Sequence, residues 1–536
     1  MRTRTVALAM AWCAALAGCS AGGGGGGAST PPTTTPTPEP VPLAATLVQE
    51  MSVAEKVGQL LLPTVKNAAD GKKLVADHGV GGFIYFPGNL KSPRKAAELS
   101  EALQGASKIP LLLGVDEETG IVSRADFTTT FPGAMALGAV GDAELARHAA
   151  VVTGTELNAV GVNLNFAPDA DVNVNPRNPV IGVRSFGSDP AAVGRLVAAQ
   201  VDGYRTAGVA AVAKHFPGHG DTAVDSHTGL PEIDHSVARW EELDAPPFRS
   251  AIEAGVDAIM TGHLVVPSLD KSKTPATMSR KILTGVLRQK LGFRGVIITD
   301  SLLMAGAQVE GGAPEAAVRA VLAGADMMLM PPDVGQAHAA LVKAVKKGRI
   351  SQNTLDAAVI RILTLKEARG LFGGATVDPA AAVTAQRTPE HRATALDVAT
   401  RAVTVVRNKE ALPLKGGVYV AGSDAQAVTA ALRAEGVKIA GPEAATHVVT
   451  SRTGSDVAGT VAALSGRKKV VLALLGSPYG LRHAGSAQAA AVTYSTSAVS
   501  VKGLAKILAG KAVPQGRLPV AVPGAFKLGA GITSAL

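Results

Sequence analysis

Residues 209–227 read Val-Ala-Ala-Val-Ala-Lys-His-Phe-Pro-Gly-His-Gly-Asp-Thr-Ala-Val-Asp-Ser-His, from Val209 to His227. The first part, 209–216, is a short apolar run of the kind that forms a strand of a parallel sheet, and it ends on Lys214 and His215. The second part gathers histidines and carboxylates around Gly218 and Gly220, whose freedom of backbone angle predicts a loop rather than a helix or strand. Within that loop Asp225 stands two residues before His227, close enough to orient the imidazole and raise its basicity. That pairing suits general acid/base chemistry near neutral pH.

The same alternation of a short apolar run and a longer Ala-rich helical pattern recurs on both sides of this stretch. Candidate strands fall at 59–65, 82–86, 110–116, 163–168, 209–216, 257–263, 295–300 and 326–330. Eight such units predict an α/β fold of the (β/α)8 barrel type rather than an open doubly wound sheet. Asp116, Lys214, His215, His263 and Asp300 all sit at the carboxyl ends of these runs, the rim where barrels of this type carry their chemistry.

The barrel pattern is assigned to residues 43–375, followed by a helical linker over 376–400 and a smaller α/β sandwich domain over 401–536. Its strands are expected at 417–421, 447–451, 469–475 and 518–522, with a helix over 425–434. This second unit has no Gly-rich phosphate loop, paired carboxylates or histidine cluster, and reads as structural or as an interaction domain. At the other end, Arg2 and Arg4 precede an apolar core from Val6 to Leu16, the layout of an export signal over residues 1–19. Leu16-Ala17-Gly18-Cys19 resembles a bacterial lipobox, which makes Cys19 the expected lipidation site. Residues 20–42, rich in Gly, Thr and Pro, read as a tether. The protein is therefore expected to be exported and lipid-anchored to the bacterial cell membrane, facing the cell wall. Cys13 lies inside the signal, so no disulfide or cysteine metal site is expected.

At 536 residues and 47% hydrophobic the chain is long enough for two packed cores. A net charge of +9 favours anionic surroundings, but Lys and Arg are dispersed and aromatic residues make up 3%, which argues against nucleic acid as a partner. A monomer is expected.

Four motifs, in order, carry a resemblance. They are Asp116-Glu117-Glu118-Thr119-Gly120-Ile121-Val122-Ser123-Arg124; Asn178-Pro179-Val180-Ile181-Gly182-Val183-Arg184-Ser185-Phe186-Gly187; Lys214-His215-Phe216-Pro217-Gly218-His219-Gly220 with Asp225-Ser226-His227; and Gly292 through Asp300-Ser301-Leu302-Leu303-Met304. With them the chain resembles family 3 glycoside hydrolases, in the β-N-acetylglucosaminidase branch of peptidoglycan turnover. The resemblance implies that Asp300 is the nucleophile, His227 the general acid/base and Asp225 its dyad partner. It implies that Asp116, Arg124, Arg184, Lys214 and His215 bind the terminal sugar. Carbohydrate, in the form of GlcNAc-containing cell-wall fragments, is then the expected substrate, with no cofactor and no metal. A retaining glycosidase needs an attacking carboxylate and a proton donor that later serves as base, and an imidazole already titrates near pH 7.

The family's Asp-Gln-Glu-Gly-Gly-Arg stands here as Asp-Glu-Glu-Thr-Gly-Ile, which bears on the preferred acceptor more than on the reaction. Alternatives within enzymes are a β-glucosidase, a broad β-hexosaminidase, or a phosphorolytic enzyme, since a neutral histidine base does not repel phosphate. Outside enzymes the alternative is a sugar-binding lipoprotein. Among the remaining polar residues, His219 is read as structural, His263 as a hydrogen-bonded core residue and Asp169 and Asp171 as orienting. Glu117 and Glu118 are read as solvated or supporting. Asp300 has a rival reading as a helix N-cap. His215 and His219 are four apart, but Pro217 and Gly218 between them argue against a helical metal site.

Overall fold

Eight short parallel strands form the centre of the barrel. They are β1 (Leu61–Leu62), β2 (Gly82–Tyr85), β3 (Leu112–Val115), β4 (Leu164–Asn165), β5 (Ala210–Phe216), β6 (Ala258–Thr261), β7 (Val296–Thr299) and β8 (Met328–Leu329). The computed structural model describes residues 43–374 and 377–536. The expected signal, tether and Cys19 lie outside the described residues.

Strands β2 to β7 pair in sequence order, and β1 pairs with β8 through Leu61↔Met328 and Leu62↔Leu329. Parallel bridges Thr64↔Ile84 and Ile298↔Met327 join the two sheets, so the ring closes. Every strand residue is buried, as expected where helices cover the outside and side chains fill the inside. Each observed strand lies within its predicted stretch but is shorter. Pro63 and Pro168, which lack an amide hydrogen, follow soon after β1 and β4 and limit their ladders. Among the helices between strands, Ala143–Asn158 starts on the Asp142 side chain and Pro190–Thr206 on that of Asp189.

Helices Pro379–Thr384 and Pro389–Ala402 form the connector. The second sheet contains β9 (Thr404–Asn408), β10 (Gly417–Gly422), β11 (Lys438–Ile439), β12 (Thr446–Ser451), β13 (Lys469–Leu474) and β14 (Ala489–Val492). Its order is β11-β10-β12-β13-β14-β9, all parallel except β9, which runs antiparallel to β14. The helix expected over 425–434 is present as Ala425–Ala434.

One expected strand is corrected. Residues 518–522 do not join the sheet: Leu518 N bonds Ala530 O, and the Pro519 carbonyl accepts from Ser188 N of the barrel at 2.9 Å. With no amide hydrogen at Pro519 and its carbonyl turned to the barrel, the segment ties the two sheets together instead of extending one. Residues 43–374 and 377–536 form one compact unit. No helix among the described residues is long and apolar enough to cross a membrane.

Candidate active site

At the carboxyl ends of the barrel strands lies a cavity of about 400 Å³, lined among others by Asp116, Glu118, Arg124, Arg184, Lys214, His215, His227 and Asp300. Asp116 follows β3, Lys214 and His215 end β5, and Asp300 follows β7. Arg184 ends the short helical turn Gly182–Arg184, in the excursion after β4. Seven of the eight predicted catalytic and sugar-binding residues therefore line one cavity, and the eighth, Asp225, holds His227 from behind.

Lys214 Nζ donates to Asp116 Oδ1 at 2.8 Å and to Glu118 Oε1 at 2.6 Å. Arg184 makes a two-pronged pair with Glu118, Nε to Oε2 and Nη2 to Oε1, each 2.8 Å. Burial disfavours the Glu118 anion, but Arg184 and Lys214 outweigh it and hold the carboxyl well below the usual carboxylate range. Of the two roles expected of Glu118, solvated or supporting, the second holds: it is the buried anion that fixes two cations of the cavity. Its neighbour Glu117 is buried as well and turns away from the cavity, accepting from Arg124 N at 2.8 Å and Ala125 N at 3.1 Å. Burial raises the Glu117 carboxyl to about 7. In an extended chain alternate residues share a side, so the i, i+2 spacing of Asp116 and Glu118 was the signal for their joint role. Arg124 lies over the Phe86 ring, 5.7 Å from its centroid.

His215 Nδ1 donates to Asp171 Oδ2 at 2.7 Å. Burial, then the Arg184 charge, lowers His215 to about 3, so this contact is a hydrogen bond of a neutral ring rather than an ion pair. Its Nε2 is then an acceptor. Asp171 also receives His219 N at 2.6 Å, and burial raises its carboxyl to about 6. Asp169 Oδ2 stands 3.9 Å from Arg184 Nη2. Asp169 and Asp171 are thus orienting groups, as read. With His215 they are the one set among the described residues whose ligand atoms lie within 4.8 Å of each other. The Asp171–His215 hydrogen bond and the adjacent Arg184 already occupy or oppose that set, so its chemistry does not fit a cation.

Gly218 has φ +127°, which the tight exit from β5 requires. Gly220 is needed for a different reason from the one its sequence suggested: a Cβ there would stand 2.0 Å from Val172 O. The loop beyond is pinned by His219, whose Nδ1 meets Thr222 Oγ1 at 2.8 Å and Nε2 meets Ser226 Oγ at 2.9 Å, the structural role expected of it. His227 Nδ1 donates to Asp225 Oδ1 at 2.7 Å, while 60% of the His227 side chain remains exposed. Burial opposes ionisation of Asp225, but hydrogen bonds from the His227 backbone and ring hold its carboxyl below the usual value. Ala305 N bonds His227 O and Gly306 N bonds Ser226 O, each at 3.4 Å, so this loop rests on the segment that follows Asp300.

Asp300 N continues the barrel pairing to Thr261 O at 3.1 Å, and its Oδ1 accepts from Ser301 N at 2.7 Å. It caps no helix, because the next turn, Ala305–Ala307, begins after Met304. His263 is fully buried behind it and bonds Ser301 O at 3.0 Å, a core position as expected.

The architecture and the cavity define a (β/α)8 barrel protein with a charged site at the carboxyl-end rim. Residues 52–365 match the glycosyl hydrolase family 3 N terminal domain. A beta-hexosaminidase A of Pseudoalteromonas piscicida is 38% identical over 379 residues, 65% of this chain and 63% of that protein. A beta-N-acetylglucosaminidase/beta-glucosidase of Cellulomonas fimi is 33% identical over 375 residues, 68% of this chain and 66% of that protein. Among solved structures, a family 3 beta-N-acetylglucosaminidase from Paenibacillus sp. str. FPU-7 matches with a TM-score of 0.81 at 35% identity, covering 88% of this chain and 99% of that one. The chain belongs to glycosyl hydrolase family 3. It spans 63% and 66% of the length of the first two relatives.

Proposed function

We propose that the protein is a retaining exo-β-N-acetylglucosaminidase that removes terminal β-linked GlcNAc from cell-wall fragments of the GlcNAc-MurNAc type. The observation that carries this reading is the pairing in one cavity of Asp300, whose Oδ2 has no hydrogen bond among the described residues, with a His227–Asp225 couple on the loop resting against it. In the first step an Asp300 oxygen attacks the anomeric carbon while the imidazolium of His227 gives its proton to the departing glycosidic oxygen. In the second, His227, now neutral, takes a proton from water as that water attacks the anomeric carbon and the bond to Asp300 breaks. Asp225 stabilises the imidazolium and fixes the Nδ1–H tautomer, leaving Nε2 for the transfer. Asp116, Glu118, Arg124, Arg184, Lys214 and His215 hold the sugar or the groups that hold it.

The test is turnover of 4-nitrophenyl β-GlcNAc beside the β-glucoside, with Asp300→Asn as control. GlcNAc release by the wild type and its loss in a folded Asp300→Asn protein support the reading. Near-normal turnover by the variant removes Asp300 from the role, and a preference for the glucoside makes the protein a β-glucosidase. The exposed histidine in the acid/base position favours a second reading, phosphorolysis, in which phosphate replaces water. GlcNAc 1-phosphate formed when phosphate is added would establish it. We also propose lipid anchoring at Cys19, which a Cys19→Ala variant released from the membrane fraction would support.

A further inference from the structure

Beside the charged cavity lies a second one of about 290 Å³, and the two share Val180 and Ile181 as lining. One wall of this annex is the barrel segment 176–183, which follows β4. The other is the carboxyl-end edge of the second sheet, through Leu475 after β13 and Tyr494 to Thr496 after β14, with Tyr479 between them in sequence. Tyr479 bridges the walls, its hydroxyl accepting from Asn173 Nδ2 at 3.0 Å. Asn178, a lining residue, donates to His219 O at 2.9 Å and Thr222 Oγ1 at 3.4 Å. The annex is thus fastened to the root of the loop that carries Asp225 and His227, the side on which a leaving group is protonated.

The two cavities differ in charge. The first is lined by three carboxylates, two guanidinium groups and an ammonium group. Among the described residues, no Asp, Glu, Lys, Arg or His lines the annex. Tyr479, with its hydroxyl pushed up to about 12 by burial, stays neutral. Arg177, the charged residue within the wall segment, is exposed and does not line the annex. Ile121, 66% exposed, stands at the barrel side of the entrance, and Thr496 is exposed on the opposite side. A carboxylate moved from water into such a surround loses hydration and gains no counter-charge. A neutral group finds the Ser477 and Thr496 hydroxyls and the Tyr479 ring along the lining, with no charge to lose.

We propose that this annex receives the aglycone and selects against anionic ones, with Ile121 and Thr496 as specificity-determining residues. The inference rests on the glycosidase reading above and narrows its substrate class. Among cell-wall fragments it favours those whose lactyl carboxyl is tied up as an amide over those in which it is free.

The test compares GlcNAc-MurNAc as the free lactyl acid with its lactyl methylamide, which removes that charge and adds a small N–H and methyl group. The wild type is expected to show kcat/KM about tenfold or more in favour of the amide. Ile121→Arg and Thr496→Arg, at exposed positions on opposite walls, are each expected to narrow or invert the ratio. Equal kcat/KM for acid and amide in the wild type, or a ratio unmoved by both variants, overturns the inference. The ratio is read separately from turnover of 4-nitrophenyl β-GlcNAc. Absence of that turnover would overturn the underlying reading of the charged cavity, and this inference with it.

Discussion

His227 is held at Nδ1 by Asp225 and projects from a loop, so its removal leaves the charged lining of the cavity in place. His227→Ala is therefore expected to lower kcat on 4-nitrophenyl β-GlcNAc by roughly 10²- to 10⁴-fold, the usual worth of a positioned proton donor and base. Azide, which attacks without needing a base, is expected to restore turnover and give a β-glycosyl azide; no rescue by azide would argue against the acid/base role. Glu117 and Glu118 show what single residues conceal: they are adjacent in sequence, yet burial lifts one carboxyl to about 7 and two cations hold the other below its usual range. The i, i+2 spacing from Asp116 puts Glu118 on the cavity side, but nothing local shows its cations, which come from Arg184 and Lys214, 66 and 96 residues away. Between the ordinary 4.5 of Glu117 and 7 the folded state holds more protons than the unfolded, so stability falls as pH rises through that window, by at most roughly 3 kcal/mol. Glu117→Gln keeps an oxygen for Arg124 N and Ala125 N but carries no charge. Urea midpoints at pH 5 and pH 8 are expected to lie closer together in the variant than in the wild type, and an unchanged gap would remove Glu117 as the cause.

Elements were legible where their apolar pattern and their environment agreed. All eight barrel strands could be placed because each is a buried apolar run between helical stretches, and Asp300 and Lys214 could be placed at their ends for the same reason. Strand β14, Ala489–Val492, was missed because Ala-Ala-Ala-Val reads as helix by propensity; its pairing with β13 and β9 overrides that preference. The opposite failure occurred at 518–522, where a strand-like composition serves a joint between sheets. A further contact that sequence hides joins two helices: Lys366 of Gln352–Ala368 is fully buried and gives Nζ to Gln59 Oε1 of Val53–Gln59 at 2.7 Å. Burial, with no anion beside it among the described residues, lowers this lysine to about 7. Between pH 7 and its ordinary 10.5 the unfolded state binds more protons, so its penalty on stability is fully present below 7 and relieved as pH rises. Lys366→Met leaves Gln59 Oε1 without its donor but abolishes this rise. Denaturant titrations at pH 7 and pH 9.5 are expected to show the wild type gaining on the variant with pH; parallel behaviour would mean that Lys366 stays protonated.

At the scale of the molecule, length suggested two domains, but the packing merges them. Met135, Ala136 and Ala139 of the barrel share a hydrophobic cluster with Val449, Leu472 and Val492 of the second sheet, while Ala395 and Val398 of the connector pack into the barrel's own core. Arg517 N bonds Ala139 O at 2.9 Å across the same boundary. Glu156, fully buried on barrel helix Ala143–Asn158, receives Thr129 Oγ1 at 2.6 Å together with Arg387 N and His391 Nδ1 of the connector, each at 2.7 Å. Among the described residues this boundary is crossed by shared core and buried hydrogen bonds, which couple the two halves. Residues 43–536 are therefore expected to unfold in one transition, with calorimetric and van't Hoff enthalpies equal, although multidomain chains commonly show several. Glu156→Ala would strand four donors, Thr129 N on Oε2 being the fourth, and is expected to cost roughly 3 kcal/mol or more. Because the fold behaves as one unit, that loss should lower the midpoint of β-sheet signal and of 4-nitrophenyl β-GlcNAc turnover together. A variant in which activity survives to the wild-type temperature while part of the ellipticity melts early would show instead that the second sheet unfolds alone, and that the barrel does not depend on it.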